Sequence, residues 1–238
     1  MTSTPNRRVN RSILLAVVML SSFFNPFMGS AVNIALPSIG RELSMNALSL
    51  SWIAMGFLLF SAVMLVPFGK LADIVGRRRM LLYGNIFFTL STLLCAFSTS
   101  GFMLITSRCI QGIGSAMILS SGMAIIISAF PPEKRGSIIG FNTTAVYVGL
   151  SAAPLLGGIL TQTLGWQSLF YINASAGLLI IAGIVWGVRA DWAEAKNDPF
   201  DFKGSVVYIL AMFSLMYGFS QLPGTLAIVM TLAGSLGL

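Results

Sequence analysis

Long runs of apolar residues alternate with short polar segments along this chain. The runs cover approximately residues 12–39, 51–67, 80–97, 102–130, 137–160, 168–188 and 204–221, and a last apolar stretch covers residues 225–238. A helix needs roughly 20 apolar residues to cross a bilayer. The pattern therefore predicts seven membrane-spanning helices, followed by an eighth apolar segment that is too short to cross.

Composition supports a membrane protein and excludes several other classes. Hydrophobic residues make up 56% of the 238 residues and charged residues only 9%, against roughly 25% in soluble domains. Histidine is absent, which removes the Ser/His/Asp triad, histidine acid–base chemistry and most zinc and haem sites. Cys95 and Cys109 lie in apolar runs without metal-ligand spacing and are predicted to be small buried residues. We therefore expect no enzyme activity, no cofactor and no metal site.

The positions of the charges indicate a membrane topology rather than binding to nucleic acid, although the net charge is +7. All basic residues except Arg41 and Arg108 occupy polar segments on one side of the predicted membrane. Cytoplasmic loops are enriched in Lys and Arg, so we expect a multi-pass protein of the cell membrane with a cytoplasmic N terminus. Every Asp and Glu lies in a loop or at the end of a span, so no carboxylate is predicted inside a span.

The polar segment after the second run, residues 69–79, contains more than topology-setting charge. Its two glycines, Gly69 and Gly76, suit tight turns and close helix approach. Asp73 is followed by a basic cluster, and such an arrangement can form ion pairs that hold one conformation. The alternative is a basic loop that only sets topology. We call residues 69–79 the latch segment.

The fourth run carries three polar residues, Arg108, Gln111 and Ser115, at spacing i, i+3 and i+7, so they share one helix face. An arginine inside a membrane is costly and is by default functional. The alternative is that Arg108 extends its guanidinium toward the membrane surface or makes structural hydrogen bonds. Gly112 and Ala116, four positions apart, permit close helix packing.

The fifth run contains a row of small residues at spacing four, Gly149, Ala153 and Gly157, together with Pro154 and Gly158. Small residues on one face allow two helices to approach closely, and proline frees a carbonyl and allows a kink. The row is therefore predicted to be a helix contact, and a plain packing seam is the simpler reading.

These motifs resemble those of the major facilitator superfamily. The latch segment is similar to the family's loop signature at six positions, with Ile74 where Arg is usual: Gly69, Leu71, Asp73, Gly76, Arg77 and Arg78. The Arg-x-x-Gln-Gly of the fourth run resembles a second family motif. The Pro-Gly-Gly residues of the fifth run resemble the antiporter motif of exporters, with Ala153 in place of a glycine.

The end of the first run resembles the first-span motif of the fourteen-span drug:proton antiporter branch. Asn33, Ala35, Leu36 and Pro37 match, whereas Met28 stands where that motif usually has Asp. The missing acid is important because that carboxylate is a candidate proton or cation site.

The resemblance implies an all-α membrane protein with the family's N-terminal six-helix bundle, built of inverted three-helix repeats. The implied divisions are a cytoplasmic N terminus (1–11), the six-span bundle (12–188), a cytoplasmic linker (189–203), and an extra span with the start of the next (204–238). We expect this chain to be a piece of a longer protein; the alternative is a half-size transporter that pairs with itself or with a second chain.

The function implied is secondary active transport, with proton-coupled export of drugs or other hydrophobic or cationic molecules by alternating access. The latch segment would hold one conformation, and Asn33, Arg108, Gln111 and Ser115 would line the cavity or take part in coupling. The cavity would lie between the first, second, fourth and fifth spans and a C-terminal half. Expected partners are the small-molecule substrate, protons, the bilayer, and that C-terminal half or a second copy, but not nucleic acid.

Two alternatives remain open. One is a family importer of sugars or organic anions, with Arg108 as the anion's partner. The other is a truncated membrane scaffold that transports nothing. An ATP-driven pump is unsupported because the sequence has no Gly-rich phosphate loop ending in Gly-Lys-Ser/Thr.

Overall fold

The computed structural model describes residues 10–188, 190–193, 195, 198–220 and 224–237, and over these residues it contains helices and no strands. The helices are α1 (Arg11–Glu42), α2 (Ala47–Val75), α3 (Arg77–Ala96), α4 (Gly101–Ala129), α5 (Pro132–Leu164), α6 (Gln167–Gly187), α7 (Phe202–Ser220) and α8 (Thr225–Leu236). The first 7 are long and apolar enough to cross a membrane, whereas α8 has only 12 residues. The predicted all-α membrane fold with seven spans and a partial eighth is confirmed.

Some residues used in the topology argument lie outside the described part of the chain: Arg7, Arg8, Arg189, Glu194, Lys196 and Pro223. We call the end where α1, α3, α5 and α7 begin the basic end. It carries the described residues Arg11, Lys70, Arg77, Arg78, Arg79, Lys134, Arg135 and Lys203. Arg41 lies at the opposite end.

The helices extend past the apolar runs, and this corrects two predicted loops. In the latch segment, α2 continues to Val75 and α3 begins at Arg77, so Gly76 alone connects them. The turn predicted at residues 161–167 is helical as far as Leu164. Apolar runs mark the hydrocarbon core of about 30 Å, whereas the bilayer with its headgroups is roughly 40–45 Å thick. A helix can therefore continue through the polar interface without any hydrophobic signal.

Helices α1–α6 form two three-helix groups with equivalent neighbours. α1 packs along α5 and α6, as α4 packs along α2 and α3, and α3 packs against α6. Exchanging α1 with α4, α2 with α5 and α3 with α6 leaves this set of pairs unchanged. The packing thus has the pseudo-two-fold relation of the inverted repeats expected from the sequence.

Small residues create the closest approaches between these helices. A Cβ added at Gly112 would collide with the carbonyl oxygen of Phe57 in α2. One added at Gly149 would lie 2.5 Å from the carbonyl oxygen of Phe23 in α1, and one at Gly157 would meet Ala31. Gly149 and Gly157 of the α5 row therefore lie at a close contact with α1, a partner that the sequence did not specify.

The remaining members of the small-residue motifs differ in burial. Ala116 and Ala153 are fully buried in their seams. Pro154 is exposed and Gly158 is half-buried, so these two residues lie beside the α1–α5 seam rather than in it. Cys95 is buried as predicted, but Cys109 is only half-buried.

Candidate functional site

A cavity of about 430 Å³ lies between α1, α2, α4 and α5, and we call it the arginine cavity. Its polar lining residues are Ser22, Asn25, Ser30, Asn33, Ser61, Arg108 and Ser115. These are the four helices at which the sequence predicts a cavity. Of the four cavity residues proposed from sequence, Asn33, Arg108 and Ser115 reach the cavity, whereas Gln111 is completely buried behind Arg108.

The side chain of Arg108 is held inside the bundle and is only 1% exposed. Its Nε donates to the carbonyl oxygen of Ile53 at 3.2 Å, and its Nη1 donates to Oε1 of Gln111. The guanidinium carbon lies 4.3 Å from the centre of the Phe57 ring, which gives a cation–π contact. A guanidinium extended toward the membrane surface is therefore wrong, whereas the other alternative, structural hydrogen bonding, agrees with the bonds to Ile53 and Gln111 and stays open.

Gln111 connects this group to α3. Its Nε2 donates to Oγ1 of Thr92 at 2.6 Å, and Thr92 in turn donates to the carbonyl oxygen of Phe88 at 2.6 Å. This chain of donors orients the amide so that its oxygen faces Arg108. The sequence analysis did not identify Thr92.

Arg108 has only neutral acceptors. Among the described residues, no Asp or Glu lines the arginine cavity or bonds to this guanidinium. A buried charge without a counterion is costly and attracts an opposite charge strongly, because the surrounding dielectric is low. The wall of the cavity therefore contains one buried positive charge that no carboxylate of the described residues neutralises.

A second polar group joins α1, α2 and α4 beside the arginine. Asn25 Nδ2 donates to Ser115 Oγ at 2.9 Å, Ser115 Oγ lies 3.1 Å from Asn25 Oδ1, and Ser61 Oγ donates to Ser115 Oγ at 3.2 Å. The sequence analysis missed Asn25 and Ser61. An asparagine in the middle of an apolar run was the available signal, because such a residue needs a polar partner in a membrane.

The methionines of the bundle differ in their surroundings, since some are buried in the core and one lines a cavity. Met28, at the position of the acid in the resembling motif, is completely buried in the core. Met117 packs against Ala72 and Met80, and Met123 lines a cavity.

Over the described residues, no group of three His, Cys, Asp or Glu side chains could hold a metal ion.

The latch segment forms an ion pair that joins three helices. Asp73 Oδ1 lies 2.8 Å from both Nε and Nη2 of Arg77. Nη1 of Arg77 also donates to the Ala124 carbonyl oxygen at 3.3 Å and to the Ser128 hydroxyl, both in α4. The pair therefore links the end of α2 and the start of α3 to the end of α4.

Asp191, which the sequence analysis did not select, caps the start of α3 from a distant part of the chain. Its Oδ1 accepts the backbone N–H of Arg78 at 3.0 Å, and its Oδ2 lies 3.2 Å from Nε of Arg79. Gly76 has φ +119°, and a Cβ there would lie 2.5 Å from the Asp191 carboxylate. Because Gly76 has no side chain to cap α3, Asp191 takes the N-cap role.

The chain after α6 lies along the latch segment. Trp192 accepts the Arg77 N–H at 2.8 Å through its carbonyl oxygen, and the Ala195 N–H donates to the Asp73 carbonyl oxygen at 3.0 Å. Lys70 Nζ lies 2.8 Å from Asp198 Oδ2. Part of the predicted linker is therefore docked on α2 and α3.

The remaining latch residues have ordinary packing roles or bond to α6. Gly69 lies inside α2, where a Cβ would be 4.0 Å from Ser120, so the predicted turn at this glycine is wrong. Leu71 packs beside Ala72. The Arg78 guanidinium donates to carbonyl oxygens of Val188 and Ile184 at the end of α6.

Seven helices of spanning length, two inverted three-helix groups and a polar cavity between their helices define a multi-pass membrane protein with the architecture of a transporter. Residues 18–238 match the Major Facilitator Superfamily. The chain belongs to this family, whose members are transporters.

Several curated proteins are similar in sequence. "Multidrug resistance protein Stp" of Mycobacterium tuberculosis is 33% identical over 90% of this chain and 40% of its own length. "Tetracenomycin C resistance and export protein" of Streptomyces glaucescens is 34% identical over 81% of this chain and 36% of its own. "Riboflavin transporter RibZ" of Clostridioides difficile is 30% identical over 82% of this chain and 43% of its own length. The chain thus spans less than half the length of these relatives.

A solved structure has the same fold. It is the crystal structure of a bacterial homologue of the human lysosomal transporter Spinster, in an inward-facing and unoccupied conformation. The TM-score is 0.67 at 19% identity, over 99% of this chain and 60% of the other.

Proposed function

We propose that this chain forms the N-terminal part of a secondary active transporter that exports hydrophobic organic molecules by alternating access. The observation that carries the proposal is the arginine cavity, which lies inside an inverted-repeat bundle and contains a buried, uncompensated charge. Two similar proteins are named for drug resistance, and one of them also for export. Their names support the outward direction, as does the resemblance of the α5 motif to that of antiporters.

The charge of the cavity narrows the substrate class. Among the described residues that line the arginine cavity, Arg108 alone carries a formal charge. A cation placed beside an uncompensated guanidinium would be repelled, whereas an anionic or hydrogen-bond-accepting group would be attracted. Of the hydrophobic and cationic compounds expected from the sequence, the geometry therefore favours hydrophobic compounds that are neutral or anionic.

The proposed energy source is a proton gradient. The carboxylate that would bind the transported proton would lie outside the described bundle. The described acidic residues lie at helix ends or between helices, where none faces the arginine cavity. A C-terminal half or a second copy of the chain would provide this group and close the cavity. The basic end would face the cytoplasm in the plasma membrane, as the positions of Lys and Arg favour.

The other proposed sites act around this cavity. The latch segment would hold one conformation through Asp73 and Arg77, whose pair joins α2, α3 and α4. Asn33, Gln111 and Ser115 would shape the polar wall of the cavity. Gly149, Ala153, Pro154, Gly157 and Gly158 would keep α5 close to α1 while the bundle moves.

Transport by everted membrane vesicles containing the protein tests this proposal. Three fluorescent compounds of similar size cover the charge classes: anionic 8-anilinonaphthalene-1-sulfonate, neutral N-phenyl-1-naphthylamine and cationic ethidium. We expect gradient-dependent accumulation of the anionic and neutral compounds, which is lost when a protonophore is added. Vesicles without the protein are the control.

Each alternative gives a different result in the same vesicles. An importer of organic anions, favoured by Arg108, would drive the anionic compound out of everted vesicles when they are energised. A scaffold would move none of the compounds beyond the control. Accumulation of ethidium alone would contradict the proposed substrate class.

A further inference from the structure

A second cavity of about 270 Å³ lies between α1, α3, α4 and α5, nearer the basic end, and we call it the amide cavity. It shares the lining residues Ser22, Leu119 and Val146 with the arginine cavity, so the two cavities are neighbours. Arg108 lines the arginine cavity and Met123 lines the amide cavity. They are about 22 Å apart along α4 at ~1.5 Å per residue.

The walls of the amide cavity are mainly apolar. They include Val18, Leu81, Ile118, Met123 and Tyr147. Methionine adapts its shape to different partners and an aromatic ring offers a flat contact surface. Ligand pockets measure about 300–1,000 Å³, so this space suits one ring system of a larger ligand.

One polar group in the amide cavity lacks a partner. Asn142 is only 6% exposed, yet its Oδ1 has no hydrogen-bond partner among the described residues. Other buried amides of the bundle are bonded: Asn25 to Ser115, Asn85 to Leu81 and Asn173 to Phe24. A buried acceptor without a partner costs roughly 1–3 kcal/mol, and this cost requires an explanation.

We propose that Asn142 anchors a second ligand subsite, in which its Oδ1 accepts a hydrogen bond from a hydroxyl or N–H group of an aromatic ligand. The ring of the ligand would contact Met123 and Tyr147, and the donor would satisfy the orphaned oxygen. This inference rests on the proposed function only in that both cavities would form one substrate path. It adds a hydrogen-bond donor to the substrate class that Arg108 favours.

A matched pair of ligands isolates the hydrogen bond. 1-Naphthol carries an O–H donor, and 1-methoxynaphthalene has the same rings without it. Binding of each is measured on the purified full chain in detergent micelles. We expect the wild type to prefer 1-naphthol relative to Asn142→Leu by about 2–10-fold, the effect of one net hydrogen bond. Comparing the ratio between variants cancels the partition of each ligand into the micelle.

Two controls separate a binding role from a structural one. Thr144→Val changes an exposed residue of the same helix that does not line the amide cavity, and it should keep the wild-type preference. The melting temperature of Asn142→Leu should equal or exceed that of the wild type, because the substitution removes an unbonded buried amide.

Three results would overturn the subsite. They are equal or undetectable binding of the two naphthalenes by the wild type, an unchanged preference in Asn142→Leu, and a lower melting temperature or failure to fold of Asn142→Leu. The proposed function fails separately, through absence of gradient-driven transport in vesicles, and that result leaves the binding comparison intact.

Discussion

Two arginines of this protein have opposite surroundings. Arg77 at the basic end has a carboxylate at 2.8 Å and two further acceptors in α4. Arg108 in the interior is 1% exposed and has only a carbonyl, an amide and an aromatic ring. Arg77, whose charge is neutralised by Asp73, links α3 to α2 and α4. At Arg108, where no described carboxylate neutralises the charge, the buried guanidinium lies in the wall of the arginine cavity.

Substitutions at the Asp73–Arg77 pair and at Arg108 should disturb different properties of the protein. The Asp73–Arg77 pair is partly buried, with the Asp73 side chain 35% exposed, so removing this carboxylate should weaken the junction of the helices without unfolding the bundle. Replacing an uncompensated buried arginine by an apolar residue of similar volume removes a desolvation cost instead. Stability and function should therefore respond differently at the two sites.

The largest expected effect is on transport by Asp73→Asn. The substitution keeps the shape of the side chain and removes the charge that neutralises Arg77 at the junction of α2, α3 and α4. We expect transport in everted vesicles to fall to background, with normal membrane insertion and unchanged binding of the anionic naphthalene sulfonate. Full transport by this variant would eliminate the latch role.

The second largest effect is on ligand binding by Arg108→Met. Loss of a charged hydrogen-bond donor should weaken binding of the anionic naphthalene sulfonate by about 10–100-fold. The melting temperature should change little, because the lost desolvation cost of the charge offsets the donor that Gln111 Oε1 loses. Arg41→Met, at the exposed opposite end, is the matched control. Undiminished anion binding, or a large loss of stability, would assign Arg108 to structural hydrogen bonding.

A third comparison tests the two glycines of the latch segment. Gly76→Ala should lower the free energy of unfolding by about 1–3 kcal/mol, because φ is +119° and a Cβ would strike the Asp191 carboxylate. Gly69→Ala should be neutral or stabilise by about 0.5–1 kcal/mol, because this glycine lies inside α2. Unfolding in mixed micelles measures both, and equal effects would mean that Asp191 does not constrain the turn.

The smallest expected effect is at the exposed pair Lys70–Asp198. Both side chains are about half exposed, at 46% and 56%. Such pairs are worth about 0–1 kcal/mol, so Lys70→Met should barely change the melting temperature. A shift as large as that of Gly76→Ala would show that this contact, rather than the backbone bonds of Trp192 and Ala195, holds the linker in place.

The contrast between the two arginines was partly visible in the sequence. The resemblance of the latch segment suggested that Asp73 and Arg77 interact, and the structure places their charged groups 2.8 Å apart across the break between α2 and α3. Arg108 was recognisable as an arginine inside an apolar run. Its direction was not, because sequence spacing assigns a helix face but does not say which neighbour that face meets.

The sequence by itself determined the number of spans, the ends that carry charge and the small-residue seams. These features depend on local properties: the length of apolar runs, the alternation of loops and the absence of a Cβ at fixed spacing. They hold whichever helices become neighbours. The end of α2 and the start of α3 could not be predicted, because hydropathy marks the residues in the hydrocarbon core and not the full length of the helix.

Only the tertiary structure decided which polar groups meet. Asp191 caps a helix that begins more than a hundred residues earlier, and Thr92 orients Gln111 from another helix. Asn142 Oδ1 finds no hydrogen-bond partner in the part of the chain that the structure describes. Each outcome depends on helix rotation and packing, which are set by the whole bundle. In a low-dielectric interior, those pairings decide whether a polar side chain stabilises the fold or remains available to a ligand.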